Sequence, residues 1–376
     1  ADAAMYQVKE GGKNAYHFST LEVRTRLSRR LELERMLRRA LADNQFEIVY
    51  QPQVRLDDSS LIGFEALLRW RSPELGVVSP SEFIPVAEEA GLIGPIGHWT
   101  LRESALQLQA WQRQGMLPIR MSVNVSTLQF HQATFVETVR GALNDSGIDP
   151  GLFEIEVTES VLVRDQNLAR RTLFKLERLG VRTALDDFGT GYSSLAYLQQ
   201  LPISTLKIDR SFVKGLVPPG TAHTGSGSGT HAGAQTGGRR YSGVGQREAV
   251  ISGVDDGDDN GTWPIVEAIC AMAHKLNKQI IAEGVETAYQ RDYLRRLGVD
   301  SAQGYFFSRP MQPLQAEELL RRVTNEAKAL MRREAAAAPK VAPPAKAAER
   351  GRHPTAPGHR ARPERVSHSQ LQPNLP

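Results

Sequence analysis

The sequence predicts an α/β protein, a TIM-type (β/α)8 barrel. Two observations lead there. Eight short β-branched or apolar runs alternate with segments of helical period over about 270 residues. Polar residues then recur at the ends of those runs, one run after another. A doubly wound open sheet is the alternative, but no glycine-rich phosphate loop follows the first run.

The strands are read in order. They are FEIVY at 46–50, LIGFEALL at 61–68, IRMSVNV at 119–125 and FEIEVT at 153–158. VRTALD at 181–186, ISTLKI at 203–208, KQIIAE at 278–283 and SAQGYFF at 301–307 complete the set. Helices are expected over 82–90, 99–114, 134–146, 168–179 and 265–276, where apolar residues return every three or four positions. Ahead of the first strand, residues 19–44 carry leucines at helical spacing among many arginines. They read as an amphipathic connecting helix. Residues 1–18 lack an initial Met and read as the end of something longer.

Two stretches do not fit a barrel. Residues 215–262 hold 13 of the 32 glycines, and such a segment is expected to be a flexible insertion. Its acidic DDGDDNG run (255–261) lacks the twelfth-position glutamate of a calcium loop. Residues 334–376 are rich in Ala, Pro and Arg and read as a disordered basic tail.

Composition sets further limits. Hydrophobic residues make up 40% of the chain, enough for a real core. Cys270 is the only cysteine, which excludes disulfides and cysteine-rich metal clusters. No apolar run has the length of a membrane span, so a cytoplasmic chain is expected. The net charge of +4 hints at nucleic-acid binding, but its location argues otherwise. Residues 325–376 carry ten Lys/Arg and four Asp/Glu, or +6, which leaves −2 for the body.

The polar strand ends are Glu65, Asn124, Glu156 and Glu159, Asp186 and Asp187, Lys207 and Asp209, Glu283 and Glu286, and Gln303. In a barrel the C-terminal strand ends open onto one face, so these residues converge. A charge at the end of an apolar strand is costly unless paired or bound to metal. Glu65, Asn124, Glu156, Asp186 and Asp187 are oxygen donors of the kind that Mg2+ and Mn2+ take. The adjacent pair Asp186–Asp187 suits two neighbouring ions and attack of water on a phosphodiester. Lys207 offers one cation among the acids to orient the nucleophile or stabilise the transition state. The FGTGYSS stretch after the pair reads as a mobile loop.

These motifs resemble the EAL-domain cyclic di-GMP phosphodiesterases. The signature stands as Glu65-Ala66-Leu67, extended by Leu68 and Arg69. VNVS, EVTES, DDFGTGYSSL, KIDRSFV, AEGVET and QGYFFSRPM follow in order. The resemblance covers 31–323. It implies a barrel whose first strand is antiparallel, a homodimer, and hydrolysis of cyclic di-GMP to 5′-pGpG with two Mg2+ or Mn2+ ions. By that resemblance Glu65, Asn124, Glu156 and Asp186 hold one metal. Asp186 and Asp187, with Glu283, serve the other. Lys207 positions the attacking water, and Glu65, Asp187 and Glu283 join it as catalytic groups. Gln51, Leu67, Arg69 and Gln303 meet substrate, and Glu159 anchors the loop after Asp187. No catalytic position of the family is replaced, so activity is expected over a non-hydrolysing receptor.

Residues 1–18 also resemble the end of a GGDEF (diguanylate cyclase) domain, carried by ADAAMYQVKEGGKN, which implies a tandem GGDEF–EAL parent. No sequence-specific nucleic-acid partner is expected.

Overall fold

The protein is described as a computed structural model covering residues 21–189, 195–218 and 263–337. Helix α1 spans Leu21–Ala40. Strands β1 (Phe46–Arg55) and β2 (Leu61–Ser72) form a hairpin, and β3 (Gly76–Val78) adds to its far end. Helices α2 (Pro80–Glu89) and α3 (Ile93–Arg113) lead to β4 (Arg120–Val125). Then come α4 (Thr127–Phe130), α5 (Phe135–Ser146), β5 (Phe153–Thr158), α6 (Ser160–Arg164) and α7 (Gln166–Arg178). Strand β6 (Arg182–Phe188), α8 (Leu195–Gln199), β7 (Thr205–Ile208) and α9 (Arg210–Lys214) follow. The chain closes with α10 (Trp263–Lys275), β8 (Gln279–Ala282), α11 (Ala288–Arg296), β9 (Ser301–Ala302) and α12 (Pro313–Ala337).

Eight strands close a barrel in the order β1-β9-β8-β7-β6-β5-β4-β2, with β2 returning to β1. Strand β1 runs antiparallel to both neighbours, β2 and β9, while the other neighbours in the ring are parallel. The expected barrel and its reversed first strand are both present.

Local chemistry explains the elements. In α3, Leu101, Ala105 and Leu108 recur at helical spacing and are buried against the barrel, with Trp111 one turn on. Helix α5 stops at Gly147, whose φ of 66° lets its N–H reach the Leu143 carbonyl. Helix α7 starts where the Asp165 side chain accepts from the Leu168 N–H. In α1, Leu33, Met36, Leu37 and Ala40 form one buried stripe in a satellite core with Trp70, Phe83 and Val86. The connecting helix is thus seated on the hairpin and α2. Burying a leucine such as Leu33 or Leu37 stabilises that seat by about 1.5–3 kcal/mol.

Three readings need correction. The eighth strand was expected to run to residue 307 but stops at Ala302. Gly304, at φ 156°, passes so close to the Val285 backbone that a Cβ there would lie 2.2 Å from the Val285 carbonyl oxygen. The chain must bend there, and Met311 instead pairs with Tyr50 on β1. The insertion does not begin at Gly215, because Leu216 is buried in the core; the rest of it, 219–262, lies outside the described residues. Helix α12 also continues past Glu334 to Ala337. The compact unit holding the barrel extends to Ala329. Residues 1–20 and 338–376 lie outside the described residues.

Candidate active site

Strand parity builds the site. Alternate residues of a strand face the barrel interior. Asn124 on β4 pairs in register with Glu156 on β5, and Gln51 on β1 with Glu65 on β2. Lys207 on β7 crosses the interior to reach all of its partners.

Lys207 is fully buried. Its ammonium lies 2.5 Å from Glu283, 2.6 Å from Glu156, 3.3 Å from Asp186 and 3.8 Å from Glu65. Asn124 Nδ2 donates to Glu65 Oε1 at 2.6 Å. Gln303 Nε2 donates to Glu65 Oε2 at 2.5 Å and to Glu283 Oε1 at 3.1 Å. The Asp187 N–H donates to Asp186 Oδ1 at 3.0 Å. Asp187 itself sits at φ 54°, a left-handed conformation that Asp tolerates better than most residues and that clusters at functional sites.

Charge balance governs this cluster. Burial alone would lower the Lys207 ammonium, but Asp186, Glu156, Glu283 and Glu65 outweigh it and hold it well above the usual lysine range. Burial drives Glu156 well above the usual carboxylate range against the pull of Lys207. Burial likewise pushes Glu283 up to about 8. Burial also acts to raise Glu65, but Lys207 and the Gln303 and Asn124 hydrogen bonds keep it below its ordinary value. One cation does not neutralise four acids.

Among the described residues, no three His, Cys, Asp or Glu side chains form a ready-made metal position. The carboxylates are joined instead through Lys207 and Gln303. Even so, the donor set fits a hard divalent ion. It is all oxygen, it carries surplus negative charge, and Glu156 Oε1 is buried with no hydrogen-bond partner.

A cleft of about 720 Å³ opens beside the cluster, with Asn124, Asp186 and Asp187 in its wall. A second hollow of about 180 Å³ takes Gln51, Glu283 and Gln303 into its lining. Leu67 and Arg69 line both. Burial lowers the Arg69 guanidinium from its usual range, with Glu65 opposing, and its Nη1 donates to the Leu68 carbonyl at 2.8 Å. Gln51 Nε2 donates to the Ser308 carbonyl at 3.3 Å.

Other residues fall outside this cluster. Glu159 is buried at the start of α6, and residues 190–194 of the loop it was expected to anchor lie outside the described residues. Asp209 caps α9 by accepting from the Ser211 N–H, and Glu286 pairs with Arg210 at 2.6 Å. The ion pairs of Lys207 are with Glu65, Glu156, Asp186 and Glu283 instead.

One layer below lies a network that the reading of strand ends did not find. Fully buried Glu154 accepts from Ser122 at 3.0 Å and from Thr205 at 2.9 Å. Arg182 and Arg120 approach it at 3.4 and 3.8 Å. Gln53, also fully buried, donates to Gln303 Oε1 at 3.2 Å. Ser122, Glu154, Thr205 and Gln53 each stand two positions before or after a residue already singled out, so strand parity was the available signal.

Comparison with known proteins places the chain in a family. The family described as EAL domain matches residues 34–223 and 248–310. The bifunctional diguanylate cyclase/cyclic di-GMP phosphodiesterase MucR of Pseudomonas aeruginosa is 40% identical over 320 residues, covering 85% of this chain and 40% of MucR. The cyclic di-GMP phosphodiesterase NbdA of the same organism is 36% identical over 321 residues, with 85% and 36% covered. The chain therefore spans less than half the length of these two relatives. The solved PaMucR phosphodiesterase, c-di-GMP complex, aligns with a TM-score of 0.63 at 38% identity, covering 76% of this chain and 99% of that one. The chain belongs to the EAL domain family.

Proposed function

We propose that this chain hydrolyses cyclic di-GMP to linear 5′-pGpG in a reaction supported by two divalent ions, Mg2+ or Mn2+. The observation that carries the reading is the surplus of buried acids around Lys207. Four carboxylates within 3.8 Å of one ammonium call for further cationic charge. The relatives named for this activity support the choice of substrate.

Glu65, Asn124, Glu156 and Asp186 would hold one ion, and Asp186, Asp187 and Glu283 the other. Bound divalent ions supply Lewis-acid charge at the phosphodiester and lower the pKa of water. The chain's own residues do the rest. Lys207 gathers the four acids into one cluster and would orient the attacking water. Gln303 fixes the rotamers of Glu65 and Glu283 through its two N–H donors. Arg69, in the wall of both hollows, takes a phosphate through its fork of donors. Leu67 and Gln51 complete the substrate wall. A homodimer and a cytoplasmic site of action belong to the same reading. Among the described residues no helix is long and apolar enough to cross a membrane.

The Glu65→Ala variant tests this. Hydrolysis should vanish while binding of cyclic di-GMP is partly retained. Turnover at the wild-type rate in that variant would defeat the assignment.

A further inference from the structure

The Gln303 amide is fully committed. A primary amide has two N–H donors and one carbonyl acceptor. Both donors go to carboxylates, Glu65 Oε2 and Glu283 Oε1. The carbonyl Oε1 must then point the other way, into the barrel interior. There Gln53 Nε2 donates to it at 3.2 Å.

Gln53 is unusual for its place. It is fully buried on β1, and its own Oε1 has no hydrogen-bond partner. An unsatisfied buried acceptor is a cost that methionine or leucine would avoid while filling the same space. Its register partner on β2 is Gly63, which has no side chain to compete for that interior side. The benefit that offsets the cost lies in what Gln53 holds.

Orientation is that benefit. If the Gln303 amide flipped, its carbonyl oxygen would face the ionised Glu65 carboxylate, and its NH2 group would face the NH2 of Gln53. Both contacts are repulsive. With Gln53 in place the order Gln53→Gln303→Glu65 and Glu283 is the consistent one. Without Gln53, the Gln303 carbonyl is left buried and unpaired, and the amide loses one of its three tethers.

We propose that Gln53 is a positioning residue of the hydrolytic centre, acting through Gln303 to hold Glu65 and Glu283. The proposal rests on the phosphodiesterase reading given above, and it adds a residue that never touches substrate.

The test is a double-mutant cycle of Gln53→Met and Gln303→Met in the full chain. It reads kcat and KM for cyclic di-GMP, Mn2+ affinity of the substrate-free protein by calorimetry, and the melting midpoint. Gln53→Met should lose about 10-fold in kcat and weaken Mn2+ binding in step, with KM unchanged. The double variant should be no worse than Gln303→Met alone. Gln53→Leu serves in place of the methionine variant if the latter does not fold. Losses that multiply in the double variant, or a folded Gln53 variant with wild-type kcat and Mn2+ affinity, overturn the proposal. If the wild-type protein leaves cyclic di-GMP uncut, the phosphodiesterase reading fails, and the Mn2+ cycle decides the positioning role by itself.

Discussion

Replacing Lys207 with methionine keeps the length of the side chain and removes the ammonium that four carboxylates share. Lys207 is fully buried, and its contacts run from 2.5 to 3.8 Å. At about 4 Å and an effective dielectric of about 20, each such pair attracts by about 4 kcal/mol. Desolvation of the ions opposes most of that gain. Removing one partner of a buried pair costs about 3–5 kcal/mol, because the remaining charges are left uncompensated. For a domain of this size each kcal/mol moves the melting midpoint by about 2–4 °C. The metal-free variant should therefore melt about 6–20 °C below the wild type. Calorimetry in EDTA and then in excess Mn2+ is the assay. Added Mn2+ should raise the variant's midpoint more than that of the wild type, since it replaces the missing charge, and cyclic di-GMP should stay uncut. Equal midpoints in EDTA would refute the view that Lys207 gathers these acids.

Glu154→Leu should destabilise the fold by about 1–3 kcal/mol in urea titration, because the buried Ser122 and Thr205 hydroxyls lose their acceptor. The KM of the folded fraction should be unchanged, since Glu154 lies a layer below the cleft. Gly304→Ala should cost about 1–3 kcal/mol in the same titration, as the new Cβ would lie 2.2 Å from the Val285 carbonyl oxygen, a backbone atom that cannot swing aside. Cys270 is buried, and burial pushes its thiol up to about 12. It should not react with a disulfide reagent at pH 8 in the native protein and should react once the chain is unfolded in urea.

Much of the candidate site was legible because its polar residues stand in or near the end of a recognisable strand. Asn124, Glu156, Asp186, Lys207 and Glu283 lie within two residues of the end of an apolar run, while Glu65 stands inside one. The pairings were not legible. Nothing in the order of residues says that one Gln303 amide bridges Glu65 and Glu283, since those contacts span 238 and 20 positions. The lower layer was hidden for a different reason. Ser122, Glu154 and Thr205 sit inside apolar runs, where a polar residue looks like an outward-facing one. Only parity with Asn124, Glu156 and Lys207, two positions on, shows that they face inward.

Strand ends were harder. SAQGYFF has the composition of a strand, but Gly304 breaks it through a close backbone approach that involves Val285, nineteen positions earlier in the chain. Strand β3 is three residues long, too short for any period to register. Helix α1 shows the opposite case. Its leucine spacing announced a helix, while its seat against Trp70 and Phe83 is a tertiary fact.

The most direct measurement is product analysis of cyclic di-GMP incubated with the wild-type protein, in Mg2+ or Mn2+ and in EDTA, by chromatography with mass detection. The expected result is conversion to linear pGpG with either metal and none in EDTA. Intact cyclic di-GMP in every sample, from protein that melts as a folded domain, would contradict the assignment.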